Sequence, residues 1–235
     1  MYCFNSRIRY SEVNQNKQLD LASIINYFQD CSTFHSEDVG VGIDYLEDSH
    51  RVWILSSWQI IVNRYPTLFE TITTGTWAYD FNKVYAYRNF IMKSEQGETL
   101  AYANSIWILM DTSTGRPTKI TEQDCEKYGL EPKYEMDYAP RKIALPSSWE
   151  SFDAIQVLPS HIDTNNHVNN GQYIKIAENY LPTDFRIRQM RAEYRQSAVL
   201  GDNIIPKRSI TNDLCTVMLS SEADKPYAVI EFQKA

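Results

Sequence analysis

Four long runs rich in β-branched and aromatic residues follow one another in the first half of the chain, at residues 52–62, 71–81, 84–94 and 99–111. In the last, Tyr102, Asn104, Ile106, Ile108 and Met110 alternate with Ala103, Ser105, Trp107 and Leu109, the two-residue period of a strand. Gln96-Gly97 supplies a hairpin turn between the third and fourth runs. Consecutive strands with short links pair antiparallel, because a parallel pair needs a crossover of a dozen residues or more. The chain is therefore expected to be α+β, with strands grouped into meanders, and an alternating βαβ design is excluded.

One helix precedes the meander. Leu21, Ile24, Ile25 and Phe28 recur at i, i+3, i+4 and i+7, the stripe of a helix with one buried face. Asp20 is placed to cap it, and Gly40 and Gly42 lie beyond its end. A short extended segment is expected around residues 8–13. Residues 115–149 then break the pattern with Pro117, Pro132, Pro140 and Pro146, and read as a connector in which Thr121 and Asp124 open a short helix ended by Gly129.

The opening arrangement returns in the second half. Residues 152–158 read as extended, and Tyr173, Ala177, Tyr180 and Leu181 suggest a helix ended by Pro182. Asn170-Gly171 would also make a hairpin turn. Strands are expected at 188–199, 204–210, 215–220 and 227–233. A faint echo supports duplication: Val62-Asn-Arg-Tyr-Pro-Thr-Leu-Phe-Glu and Tyr194-Arg-Gln-Ser-Ala-Val-Leu-Gly-Asp follow their helices at similar intervals. Three segments result: a first unit at 1–115, a connector at 116–149 and a second unit at 150–235.

Composition narrows the functional classes. The chain is 43% hydrophobic and 13% aromatic, enough for a packed core. No apolar run approaches the roughly 18 residues of a membrane span. The first ten residues lack the apolar stretch of a signal peptide, so a cytoplasmic location is expected. Four scattered cysteines without a C-x-x-C pair imply reduced thiols. A net charge of −7 argues against nucleic acid as a partner. Against that background Arg186, Arg188, Arg191 and Arg195 cluster, with Arg141 and Lys142 upstream. They form either a solvated sheet face or a docking surface for an acidic or phosphorylated partner.

The chemistry concentrates in His161-Ile-Asp-Thr-Asn-Asn-His-Val-Asn-Asn-Gly171, which packs two imidazoles, a carboxylate and four side-chain amides before the second helix. Such a set can polarise a carbonyl and activate water. If the loop is extended, residues 163, 165 and 167 point the same way. His161, Asp163 and His167 fit no standard zinc spacing, and no metal is expected.

Several motifs in order make the chain similar to the acyl-acyl carrier protein (acyl-ACP) thioesterases. Trp58-Gln-Ile-Ile-Val-Asn-Arg-Tyr-Pro66 resembles a first-half strand of that family. Gly97-Glu-Thr-Leu-Ala and Ser105-Ile-Trp107 resemble its hairpin, Asp163-x-Asn165-x-His167-Val-Asn-Asn170 its active-site signature, and Glu193-Tyr194-Arg195 a later strand. The resemblance implies a double hotdog, two tandem units each wrapping an antiparallel sheet around a long helix. The first shapes an acyl pocket and the second carries the catalytic residues. It also implies hydrolysis of the thioester between a fatty acyl chain and the phosphopantetheine arm of acyl carrier protein, without a cofactor. A homodimer is left open.

By the same resemblance the catalytic set is Asp163, Asn165 and His167. His167 or Asp163 would take a proton from water, and histidine titrates near neutrality. Asp163 could instead attack the carbonyl, and Asn165 would donate to the carbonyl oxygen, helped by a backbone N–H near residues 169–171. Arg188, Arg191 and Arg195 would face anionic groups of the substrate, Asn169 would lie beside it, and Ser197 would position water. Plant members carry an acidic residue and a cysteine where this chain has Ser197 and Ala198, so a cysteine nucleophile there is excluded. Asp30, His35 and Glu178 are further candidate acids or bases, and Cys31 a weak candidate nucleophile. Two alternatives stand beside this reading: a thioesterase acting on acyl-CoA, and a non-catalytic acyl-thioester-binding protein.

Overall fold

Asp20 caps its helix as its position implies. In the computed structural model, which describes residues 1–235, its carboxylate accepts the Ser23 N–H at 2.6 Å and opens α1 (Leu21–Asp38). Such a cap contributes about 1 kcal/mol. The buried stripe of Leu21, Ile24, Ile25 and Phe28 continues into Cys31 and His35. The helix packs against strands β1 (Tyr2–Arg7) and β3 (Thr71–Asn82), and Phe28 meets Phe90 with ring centroids 5.2 Å apart.

The expected meander is present as β2 (Arg51–Val62), β3, β4 (Tyr85–Ser94) and β5 (Thr99–Asp111). The strand order in this part is β1-β3-β4-β5-β2. One expectation needs correction: the first strand is β1, and residues 10–12 are a 3-10 turn rather than an extended segment. The cause is local. The Glu12 carboxylate reaches back to the Arg9 N–H at 2.9 Å and tightens the chain there.

The Pro-rich stretch carries a two-residue strand β6 (Arg116–Pro117) and α3 (Glu122–Tyr128). Thr121 and Asp124 cap each other reciprocally, at 2.9 and 3.2 Å, and Gly129 ends the helix at φ 62°. Asp124 is buried and pairs with Arg51 at 2.8 Å. Trp77 donates its indole N–H to the Pro132 carbonyl at 2.9 Å, and the Asn89 amide oxygen accepts the Tyr134 N–H at 3.0 Å. Residues up to Ala139 belong to unit 1, which comprises Met1–Ser56 and Ile60–Ala139. Unit 2 comprises Pro140–Ala235 together with Ser57–Gln59.

Unit 2 contains β7 (Glu150–Ser151), β8 (Ile155–Gln156), α4 (Asn170–Glu178), β9 (Ile187–Tyr194), β10 (Asn203–Thr211), β11 (Leu214–Ser220) and β12 (Pro226–Lys234). Its strand order is β9-β12-β11-β10-β7, with β8 beside β10. Asn170-Gly171 opens a helix and not a hairpin, because Asn169 accepts the Gly171 N–H at 2.8 Å as an N-cap. β9 stops at Tyr194, five residues short of the expected run. The next two N–H groups both turn to the Tyr227 carbonyl, at 2.8 and 3.3 Å, and the chain leaves the ladder.

The faint sequence echo has a structural register. In unit 1 Ile8 N–H donates to Glu70 O at 2.9 Å, Phe69 N–H to Ile8 O at 3.1 Å, and Leu19 N–H to Pro66 O at 2.8 Å. In unit 2 Val157 N–H donates to Asp202 O at 2.8 Å, Gly201 N–H to Val157 O at 3.2 Å, and Val168 N–H to Ala198 O at 2.9 Å. Position by position, 66, 69 and 70 correspond to 198, 201 and 202. No helix in the molecule is long and apolar enough to cross a membrane, and all four cysteines are free thiols.

Candidate active site

Residues 163–167 form a tight turn, not an extended loop. Asp163 N–H donates to His167 O at 2.8 Å, and Asn166 N–H donates to Asp163 O at 3.1 Å. The Asp163 Oδ1 accepts the Asn165 N–H at 2.8 Å and lies 3.4 Å from the His167 N–H. Asn166 takes the left-handed conformation the turn requires, φ 61°. A carboxylate folded back onto its own backbone in this way competes with any regular ladder and makes a bend. The three residues expected to share a face by alternation lie instead on this turn.

Their surroundings differ. Asp163 and His167 are half-buried, while Asn165 is exposed at the tip. The His167 imidazole has no hydrogen-bond partner in the chain, and the Asn165 side-chain amide has none either. His161 is engaged, its Nδ1 accepting the Leu158 N–H at 3.2 Å. At the start of α4 the Asn169 N–H goes to His161 O at 2.9 Å and the Gly171 N–H to the Asn169 side chain. Those two backbone donors are therefore already committed, whereas the Asn165 side-chain amide on the turn is not. Asn169 itself is the helix cap.

Ala198 lies against the turn, fully buried, its carbonyl accepting the Val168 N–H at 2.9 Å. Its own N–H donates to the Tyr173 hydroxyl at 2.8 Å. Burial pushes the Tyr173 phenol up to about 12, which keeps it protonated. The corresponding positions in unit 1 are Pro66 and Ile24, and a proline has no N–H to satisfy. Tyr173 was legible in the sequence only as part of a helix stripe. Tyr194 was equally hidden: its hydroxyl donates to Asn170 O at 3.1 Å and its ring packs against Tyr173 at 6.0 Å. Ser197 is exposed.

The arginine cluster separates into two groups. Arg191 donates to Glu231 at 2.8 Å and to the carbonyls of Pro140 and Lys142 at 2.6 and 3.2 Å. Arg195 pairs with the buried Glu193 at 3.0 Å, and Glu193 also accepts the Ile143 N–H at 3.0 Å. These two guanidiniums are occupied in holding residues 140–143 and β9. Arg186 and Arg188 are exposed and form no ion pair.

Cys31 and His35 on α1 are poorly placed for chemistry. Burial pushes the Cys31 thiol up to about 12, far from a thiolate at neutral pH. Burial and the Arg88 guanidinium hold His35 down to about 4; its Nδ1 lies 3.0 Å from Arg88 Nη1 and so acts as acceptor from a permanent cation. No group of three His, Cys, Asp or Glu side chains is placed to hold a metal ion.

The arrangement offers a half-buried imidazole with both nitrogens uncommitted, a carboxylate that holds its backbone, and an amide donor in the same turn. The chain as a whole has known relatives. Residues 1–128 match the family model of the acyl-ACP thioesterase N-terminal domain and residues 147–233 that of its C-terminal domain. A chloroplastic acyl-[acyl-carrier-protein] hydrolase of Cuphea viscosissima is 30% identical over 72% of this chain and 44% of its own length. The chain spans about half the length of the curated relatives it matches. Among solved structures, an acyl-ACP thioesterase from Bacteroides thetaiotaomicron superposes with a TM-score of 0.92 at 21% identity, covering 99% of this chain and 97% of that one. The 12:0-ACP thioesterase of Umbellularia californica gives 0.86 at 18% identity, covering 100% and 96%. With both halves matched in order, and the Asp163, Asn165 and His167 turn inside the C-terminal match, the chain belongs to the acyl-ACP thioesterase family.

Proposed function

We propose that the chain hydrolyses fatty acyl-acyl carrier protein to free fatty acid and carrier protein, with chemistry centred on residues 163–167. The observation that carries this reading is the His167 ring, half-buried, unbonded, and held on a turn whose shape depends on Asp163. In this reading His167 takes a proton from water as the water attacks the thioester carbonyl. The Asn165 amide donates to the oxygen that gains charge. The thiolate of the phosphopantetheine arm leaves readily and needs little acid assistance. The Asp163 Oδ1 is committed to the turn, which favours water over a carboxylate as the attacking group.

The paired strand–helix–meander units support a double hotdog, with the acyl pocket in the first unit and catalysis in the second. Arg186 and Arg188 are the charges available to an anionic group of the substrate, since Arg191 and Arg195 are bound within unit 2. The test is release of fatty acid from acyl carrier protein, compared with the same acyl group on CoA. A clear preference for CoA would replace the carrier-protein reading, and tight binding of both without product would make the protein a binder.

A further inference from the structure

Unit 1 carries an exposed cluster that hydrolysis does not use. Ser6, Arg7, Ile8, Arg9 and Phe69 line an open cavity of about 380 Å³. The Phe69 side chain is 60% exposed, and Tyr10, next along the chain from Arg9, is 82% exposed. Arg7 lays its guanidinium 5.2 Å from the centre of the Phe69 ring, and its Nε donates to Phe69 O at 3.1 Å. Both terminal nitrogens of Arg7 are left without a partner. Arg9 makes a surface pair with Glu12 at 3.3 Å, and the Asp30 carboxylate lies within its electrostatic reach. Lys17, whose carbonyl accepts the Leu68 N–H at 2.9 Å, adds a third exposed cation.

The backbone at Phe69 sharpens the puzzle. Its φ is 72°, in the left-handed region that a bulky L residue avoids. The corresponding position in unit 2 is Gly201, at φ 87° with the same hydrogen-bond pattern. The bend itself therefore demands this conformation, and one unit fills it with the residue that adopts it freely. Unit 1 places an aromatic ring there, and the ring is mostly in solvent, so burial does not offset the strain. Strain held without a packing return is the mark of a side chain kept for contact with something else.

We propose that Arg7, Arg9, Tyr10 and Phe69 form a docking surface for an acidic face of the carrier protein. The proposal rests on the carrier-protein reading above and adds the place where the protein part of the substrate is held. Arginine and exposed aromatics are the residues enriched at the centres of protein interfaces. A chain of net charge −7 repels an acidic partner at long range, so encounter depends on a local concentration of cations.

The experiment compares one acyl group on carrier protein and on pantetheine alone. Arg7→Ala with Arg9→Ala is expected to raise KM for the carrier-protein substrate by roughly tenfold or more, with kcat and the pantetheine reaction unchanged. The wild type should approach the variant as salt rises. Phe69→Gly should lose the same carrier preference while its melting midpoint holds or rises. Equal behaviour of variant and wild type on carrier protein would overturn the proposal. So would a Phe69→Gly midpoint that falls with carrier preference intact, or a loss confined to Arg186→Ala with Arg188→Ala. If the wild type hydrolyses neither substrate, the functional reading fails instead. Direct binding of carrier protein to the Arg7, Arg9 double variant then decides the surface alone, unchanged binding overturning it.

Discussion

Residues 14–19 in unit 1 and 163–168 in unit 2 are the same piece of backbone with different side chains. Asn14 N–H donates to Gln18 O at 2.8 Å and Lys17 N–H to Asn14 O at 2.9 Å, as Asp163 N–H and Asn166 N–H do in unit 2. Asn14 Oδ1 accepts the N–H of Asn16 at 2.9 Å and of Gln18 at 3.2 Å. Lys17 at φ 58° stands where Asn166 has φ 61°. Each turn leads into a capped helix, through Asp20 in one and Asn169 in the other. Asn14, Asn16 and Gln18 thus occupy the places of Asp163, Asn165 and His167. An amide oxygen builds this turn as well as a carboxylate does. The comparison separates what both turns share, a side-chain oxygen at the first position, from what unit 2 alone carries, an imidazole at the fifth.

The largest expected effect breaks the symmetry at that fifth position. His167→Ala should lower turnover on acyl carrier protein by roughly 10²–10⁴-fold with an unchanged melting curve. Gln18→Ala should leave turnover intact. Equal turnover of wild type and His167→Ala would remove the imidazole from the mechanism.

The helices that follow differ in length, 18 residues in α1 against 9 in α4, and the extra turns of α1 bury His35. Its folded value of about 4 lies below the ordinary 6.5, so the unfolded chain takes up a proton first as pH falls. The stability from keeping the ring neutral is present above about 6.5 and lost between 6.5 and 4, roughly 3 kcal/mol. His35→Gln should flatten the pH dependence of unfolding in that window, and an unaltered slope would refute the assignment.

Tyr173 and Pro66 are two solutions to one problem, the backbone N–H at the turn's neighbour. Tyr173→Phe strands the buried Ala198 N–H and should cost about 1–3 kcal/mol in urea unfolding. Adding Ala198→Pro, as unit 1 already has it, should recover part of that loss. A double variant weaker than Tyr173→Phe alone would show that the two sites are less alike than their hydrogen bonds suggest.

The smallest effects test the turn's first position. Asp163→Asn should unfold at the wild-type midpoint, because Asn14 already does that work in unit 1. Asp163→Ala and Asn14→Ala should each lose about 1 kcal/mol. Activity of Asp163→Asn should fall by less than that of His167→Ala. An equal fall would give the carboxylate a chemical role beyond holding the turn.

Much of this was open to reading from local pattern. The α1 stripe and its Asp20 cap, the four strands of the first meander and the Thr121–Asp124 box all depend on residues within a few positions of one another. The first strand lies earlier than its pattern implies because a single Glu12 side chain bends residues 10–12, which no periodicity reveals. β9 is shorter than its residue pattern implies because the carbonyl that ends it belongs to Tyr227, more than thirty residues away.

The amino-acid order alone determined the element types, the repeat of strand, helix and meander, and the stock of groups at 161–171, because periodicity, caps and side-chain chemistry act over short stretches. Only the tertiary structure decided which groups remain available. Arg191 is claimed by Glu231 and Pro140, Arg195 by Glu193 packed beneath residue 143, and the Ala198 N–H by Tyr173. A hydrogen bond satisfies its group wherever along the chain the partner lies, so the division between structural and reactive side chains is settled by folding.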